Sequence, residues 1–423
     1  MKGIKKILAL VFVAVFAIGM LAACGGGSPA PAGSGAAPAG SGSGGAAPAA
    51  ASDFKAGLIC LHDENSTYDL NFINGFKEAC EAMGLVEGES YFIKTNKGEN
   101  EEAYQAATEL VDQGCNVIFA DSFGHEDYIL QAAMENEDVQ FCHATGTKAH
   151  TENVANYHNA FASIYQGRYL AGIAAGMKLN EMIDAGEITA DQAVMGYVGA
   201  YPYAEVKSGY TSFYLGAKSV CPTVTMQVTF TNSWYDETLE KTGAQTLIDK
   251  GCVLISQHAD SMGAPTACEA ANVPNISYNG STIQACPNTF IVSSRIDWAP
   301  YFTYAMQNTM DGTPIDVDWV GTIETGSVVL TDINDAAAAE GTKEAIEAAK
   351  EELVAGTRQV FDTATFTVGG ETLTSYQADV DDMGDFQPET EVIENGIFKE
   401  SFFRSAPYFD IDIDGITILG DVQ

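Results

Sequence analysis

From Phe54 onward, short β-rich runs alternate with amphipathic helical stretches, and the series is laid down twice. Such alternation specifies parallel sheets covered by helices, because each parallel connection must return over a face of the sheet. In the first series Phe54–Leu61, Tyr91–Thr95, Val117–Ala120 and Val139–His143 read as strands. Asp69–Met83, Glu101–Gln113 and Glu126–Glu135 read as helices between them. A second series begins after Tyr157 with a long helix from Phe161 to Leu179. Strands follow at Val194–Val198, Val224–Phe230 and Val253–Ser256, with helices at Ala204–Ser219 and Glu237–Asp249. Leu110–Phe119 and Leu247–Ser256 match at an offset of 137 with five identities. Each ends a helix on a glycine C-cap and enters a buried strand. Either a duplication or a generic helix–glycine–strand unit accounts for the match, and both give two similar α/β lobes. The chain has 423 residues, of which 46% are hydrophobic, enough for two cores.

The first residues read as an address. Lys2, Lys5 and Lys6 precede an apolar run from Ile7 to Leu21, and Leu21-Ala22-Ala23-Cys24 resembles a bacterial lipobox. Residues 1–23 are therefore expected to be a lipoprotein signal peptide and Cys24 the lipidated residue. Gly25 to Ser52 contains only Gly, Ala, Ser and Pro. A coil of that composition spans roughly 30 Å and reads as a tether, 24–52, holding the folded part off the membrane. No later stretch is apolar for long enough to span a bilayer.

Charge and cysteine usage exclude several classes. Lys plus Arg is 20 against 57 Asp plus Glu, a formal net charge of -37. So acidic a surface repels phosphate backbones, which excludes a nucleic-acid partner, and it predicts a monomer. Eight cysteines remain after Cys24, at 60, 80, 115, 142, 221, 252, 268 and 286, without Cys-x-x-Cys or metal-ligand spacing. They are expected to be mostly reduced, structural thiols, with no metal and no cofactor. No Gly-x-Ser-x-Gly stands after a strand, and no phosphate-cradling glycine loop with lysine occurs, so an enzyme is not expected. Asp410-Ile411-Asp412-Ile413-Asp414-Gly415 mimics the start of a calcium loop, with Asp421 at its twelfth place. The alternation of Phe409, Ile411 and Ile413 with those aspartates reads instead as a half-buried strand.

In open parallel sheets ligands sit beyond the carboxyl ends of the strands. That rule nominates Asp63–Tyr68, Asp121–His125, Ala144–Gly146, Gly199–Tyr203, Asn232–Trp234, Gln257–Ser261 and Asn279–Ser281. The set is rich in aromatic and hydrogen-bonding side chains and poor in cations. It suits a flat, neutral, polar ligand better than a phosphate or carboxylate.

Five segments, His143-Ala144-Thr145-Gly146, Gln166–Gly172, Asn232–Asp236, Gln257–Ser261 and Asp297–Tyr301, resemble the basic membrane protein family of substrate-binding lipoproteins. That family is related to bacterial purine nucleoside receptors of ATP-driven importers, and the resemblance runs from about Phe54 to Leu330. It implies a type I periplasmic-binding-protein fold: two Rossmann-like lobes with three crossovers and a ligand cleft between them. The crossings are expected near Tyr157, Arg295 and Val328. Lobe 1 would comprise 53–157 plus 296–327, and lobe 2 158–295 plus 328–423 with an acidic C-terminal extension. The resemblance also implies an ABC permease as partner, an extracytoplasmic location and a purine ligand.

Within the resemblance, Trp234 is the stacking candidate, or else a core tryptophan beneath a loop. Tyr68 and Phe123 are further aromatic candidates. Asp260 is expected to read the base as an acceptor-only carboxylate, and His258 is either a reader or structural. Tyr201, Tyr203 and Asn279 are candidates for the cleft wall rather than readers. An aspartate used after the fourth strand by nucleoside receptors is replaced by Ala144-Thr145-Gly146. The late region offers Ser281 and Ser293-Ser294-Arg295 in place of their ribose-holding aspartate and lysine. These departures favour a free base or another flat heterocycle. A sugar, which also stacks on aromatic rings, is the alternative.

Overall fold

The computed structural model describes residues 53–380 and 387–422. The expected signal, Cys24 and tether lie outside them. Chain order begins with β1 (Ala56–Ile59), α1 (Thr67–Ala82), β2 (Tyr91–Lys94), α2 (Glu101–Asp112), β3 (Val117–Ala120), α3 (Glu126–Glu135), β4 (Gln140–Ala144), α4 (Ala149–Glu152) and β5 (Tyr157–Ala162). It continues with α5 (Ile164–Asp184), β6 (Val194–Gly199), α6 (Ala204–Val220), β7 (Thr225–Phe230), α7 (Glu237–Asp249), β8 (Leu254–Gln257), α8 (Gly263–Ala271), β9 (Asn275–Tyr278) and β10 (Phe290–Ile296). Then follow α9 (Ala299–Asp311), β11 (Asp318–Gly321), β12 (Val328–Leu330) and α10 (Thr342–Val354). The extension adds the two-residue strands β13 (Gln377–Ala378), β14 (Thr390–Glu391), β15 (Ile393–Glu394) and β16 (Ile397–Phe398), and then β17 (Ile416–Asp421).

Two sheets hold the molecule, a six-stranded one in the order β11-β5-β4-β3-β1-β2 and a seven-stranded one in the order β12-β10-β9-β8-β6-β7-β17. The first is wholly parallel. In the second only β12 runs against its neighbour β10. The chain passes from the first sheet to the second after β5, returns after β10, and visits the first again through β11 before β12. These three crossovers make a two-lobed periplasmic-binding fold. The glycines of the matched segments act as expected, since Gly114 and Gly251 take φ of 83° and 93°, the left-handed conformation that ends a helix.

Two sequence expectations move. The first sheet owns β5, so the first crossing falls after Ala162 rather than near Tyr157, and α5 starts at Ile164 rather than Phe161. The run was unreadable as a strand because it carries His158 and Asn159, both buried. Their polarity is met internally. His158 contacts the Asp316 carbonyl at 3.1 Å and Gln140 Oε1 at 2.9 Å, and Asn159 Oδ1 accepts from Ala149 N–H at 2.8 Å. In the extension, Phe409, Ile411 and Ile413 are buried and the intervening aspartates exposed, as the alternation implied. The ladder itself begins only at Ile416, where β17 joins β7 in parallel. The aspartates turn to different partners: Asp410 to the Tyr376 hydroxyl, Asp412 to Lys207, and Asp414 to Thr367, Gly369 and Gly370. The segment is wall of the second lobe, with Phe361 and Phe409 stacked at 4.3 Å in its core. All eight cysteines of the described chain are buried and unpaired.

The second lobe is built around a close crossing of α5 and α6. A Cβ at Gly172 would lie 2.0 Å from the Phe213 carbonyl oxygen, and one at Gly216 would lie 2.0 Å from that of Tyr169. Backbone cannot give way as a side-chain tip can, so Gly172→Ala and Gly216→Ala should each destabilise by about 1–3 kcal/mol or more. Chemical denaturation measures this, and an unchanged midpoint for both variants would mean that the helices do not cross so closely.

Candidate functional site

The carboxyl ends of both sheets face a single cavity. Leu61, His62, Tyr68, Asp69, Ser122, Phe123 and Thr145 line it from the first lobe, and Glu205, Trp234, His258, Asp260 and Asn279 from the second. Its empty space, counted out to the open mouth and so including solvent, is about 370 Å³. The lobes touch directly across it. Thr67 donates its backbone N–H (3.0 Å) and its hydroxyl (3.3 Å) to the Asp260 carbonyl. Rings also meet across the gap, His62 with Tyr235 at 5.4 Å and Phe123 with Tyr203 at 5.7 Å.

On the first lobe the turn from β1 into α1 builds the wall. Ser66 caps α1 by accepting from the Asp69 N–H, while the Ser66 hydroxyl donates to Asp69 Oδ2 at 2.5 Å. Asp69 Oδ1 accepts from the His62 N–H at 2.7 Å. Burial pushes the Asp69 carboxyl up, but the hydrogen bonds from His62 and Ser66 prevail and hold it below the usual range. Tyr68 donates its hydroxyl to the Asp121 carbonyl at 2.7 Å and leans on Phe72, which fixes its ring against the cavity. Asp121 itself is fully buried. Burial and the neighbouring Asp69 raise its carboxyl well above the normal range. Cys60, Asp69 and Asp121 bring one sulfur and two carboxylates within 4.8 Å of one another. Asp69 is engaged by Ser66 and His62, and Asp121 Oδ1 by the Leu61 N–H, while the second Asp121 oxygen is buried without a hydrogen-bond partner among the described residues.

On the second lobe Trp234 and Asp260 are tied together, since the Asp260 N–H donates to the Trp234 carbonyl at 3.0 Å. Trp234 is half-buried and presents an open face. Tyr201 meets Trp234 edge-on at 5.1 Å and stacks on Tyr203 at 5.1 Å. Asn279 donates to Asp260 Oδ1 at 3.2 Å from a left-handed backbone, φ 66°. Thr145, opposite, is left-handed too, φ 64°. For a β-branched residue that conformation is strained and is kept where the surroundings impose it, commonly at ligand sites.

Tyr68, Phe123, Trp234, His258, Asp260 and Asn279 thus meet in one cavity, whereas Tyr201 stands behind Trp234 and does not line it. Asp260 departs from the expected acceptor-only role. Burial, with Asp69 and then Glu240 nearby, raises its carboxyl well above the usual range, which favours the protonated form over the ionised one. Sequence reasoning missed Asp69, which lies one residue past the nominated loop because Ser66 caps the helix early. It missed Glu205 because that residue sits in the first turn of α6, just after Tyr203.

With this geometry in view, the family model described as "ABC transporter substrate-binding protein PnrA-like" (Bmp) matches residues 58–358. The chain belongs to that family. The described residues beyond the matched part of this Bmp-family chain, 359–380 and 387–422, add Phe361, Phe366, Phe398 and Phe409 to the second lobe's core. A purine-binding protein of Brucella abortus is 32% identical over 237 residues, covering 56% of this chain and 63% of the relative. A Haloferax volcanii protein named for ABC-transporter glucose binding is 33% identical over 216 residues, 51% of each chain. The chain therefore spans between half and two thirds of these relatives' own length. An ABC-transporter solute-binding protein from Conexibacter woesei has the same fold, with a TM-score of 0.58 at 21% identity over 72% of this chain and 98% of that one. No helix among the described residues is long and apolar enough to cross a membrane.

Glu240 secures the loop that bears Asp260. Its carboxylate accepts from the Ser261 N–H at 3.1 Å and 3.2 Å and from the Asp236 N–H at 3.1 Å, yet burial raises it to about 7. A carboxyl with a folded pKa above its unfolded value contributes stability below the unfolded pKa, near 4.5 here, and loses it as pH rises through about 7. The loss is on the order of 3 kcal/mol. Thermal stability should therefore fall between pH 5 and pH 8, with a smaller fall in Glu240→Gln; Glu400, also raised to about 7 by burial, and the raised acids Asp121 and Asp260 add to the fall in both proteins. An identical pH slope in wild type and variant would contradict this.

Proposed function

We propose that this Bmp-family protein captures a purine nucleobase in the interlobe cavity and hands it unchanged to an ABC permease. It does so from the extracytoplasmic face, as a monomer held by a lipid on Cys24. The observation that carries the ligand class is the cavity itself: a small space with Tyr68, Phe123 and Trp234 as flat walls and Asp260, Asn279 and Glu205 as polar groups. Aromatic faces suit a planar heterocycle, and a few fixed donors and acceptors read its edge. The missing ribose-holding aspartate and lysine favour a free base over a nucleoside. The name of the Brucella relative points the same way.

A sugar is the second reading, favoured by the name of the Haloferax relative. A thermal-shift panel of adenine, hypoxanthine, guanine, xanthine, their nucleosides and glucose separates the two. At a hundredfold excess over Kd a true ligand adds about 2.7 kcal/mol, roughly 3–5 °C for a chain of this size. The largest shift is expected with a free base. Stabilisation by glucose alone would establish the second reading, and no shift with any purine would remove the first.

A further inference from the structure

Behind Glu205 a line of polar groups runs into the second lobe and ends at a buried arginine. We propose that Glu205 is a ligand-reading acceptor and that Arg168, acting through Tyr197 and His258, is the positioning residue that fixes the direction of its hydrogen bonding toward a ligand N–H. This deepens the nucleobase reading and rests on it for the identity of the ligand.

Arg168, on α5, is completely buried. Its hydrogen bonds go to the Tyr197 hydroxyl at 2.6 Å and, at 3.4 Å each, to Ser256 Oγ, Ser294 Oγ and the carbonyls of Gln257 and Ser277; none is a carboxylate. The rings of Tyr278, Tyr197 and Phe213 surround the guanidinium at 4.8, 5.4 and 5.4 Å, so π faces rather than an anion balance the charge. A guanidinium has donors only. At 2.6 Å the Tyr197 oxygen must therefore accept, and its own proton is free for His258 Nδ1, 3.4 Å away.

Once Nδ1 accepts, the ring proton of a neutral histidine belongs on Nε2. That nitrogen lies 3.3 Å from Glu205 Oε1 and donates to it. Burial keeps His258 neutral against the pull of Glu205, and the Arg168 charge works in the same direction as burial. The obligate donor at one end thus sets every bond along the line, and Glu205 receives at the other. Glu205 lines the cavity, and its second oxygen takes no hydrogen bond from the described residues. Asp260 lines the same cavity beside Asn279, and burial raises its carboxyl, which favours the protonated, donating form. The pair offers an acceptor and a donor together, which matches a heteroaromatic edge carrying an N–H beside an unprotonated ring nitrogen. A sugar, all of whose hydroxyls can both give and accept, has no need of such a fixed polarity.

The test joins imidazole 15N NMR with binding of the purine base that stabilises wild type best, adenine being the first probe. His258 is expected as the Nε2–H tautomer in wild type, with that preference lost in Tyr197→Phe. Glu205→Gln, which places a donor where the acceptor stood, should weaken base binding by about 10- to 100-fold with little change in Tm. Tyr197→Phe should weaken it less. Base binding unaffected by Glu205→Gln would overturn the inference and leave the nucleobase reading standing. If no base binds wild type, the nucleobase reading falls alone, and the tautomer decides the relay: an Nδ1–H His258 in wild type overturns it.

Discussion

The Asp260 carbonyl accepts both the backbone N–H and the hydroxyl of Thr67, and through it the first turn of α1 on one lobe is joined to the loop after β8 on the other. Most of the site's chemistry follows from that contact. Burial beside it desolvates the carboxyls of Asp260 and Asp121 and raises both well above the usual range. The contact also brings the Tyr68 wall and the Trp234 wall to a small fixed separation. Opening the lobes would separate these walls and rehydrate the acids together.

The electrostatics of the molecule are layered. Outside, a net charge of -37 disfavours phosphates and carboxylates at long range. Inside, the cavity carries acids but is not simply anionic, because burial neutralises some of them while Asp69 is held ionised by His62 and Ser66. A neutral ligand that both gives and accepts hydrogen bonds suits both layers. Among the described residues of this acidic protein Arg168 is a buried cation surrounded by aromatic rings and hydrogen-bonded to Tyr197, which in turn lies beside His258.

Much of this was legible in the sequence where a periodic pattern or a strand end marked it. The rule that ligands gather past the carboxyl ends of parallel strands nominated Tyr68, Phe123, Trp234, His258, Asp260 and Asn279, and all six line the cavity. Their placement needed only correct strand ends, not side-chain detail. What escaped depended on tertiary context. β5 was hidden because His158 and Asn159 are polar in sequence and satisfied only once Asp316, Gln140 and Ala149 are beside them. Asp69 was lost to a cap that starts the helix two residues early. Tyr201 obeys the strand-end rule but spends its ring on Trp234 and Tyr203, and no local pattern reveals that. Neither composition nor spacing could show that the Asp260 carboxyl is raised, since that shift comes from burial in the folded cleft.

The most direct measurement is mass spectrometry of small molecules released when the protein, purified without an unfolding step, is denatured. A purine base in near-stoichiometric amount is the expected result, carried through purification by the closed cavity. Release of a sugar or another non-purine solute in that amount would contradict a nucleobase receptor.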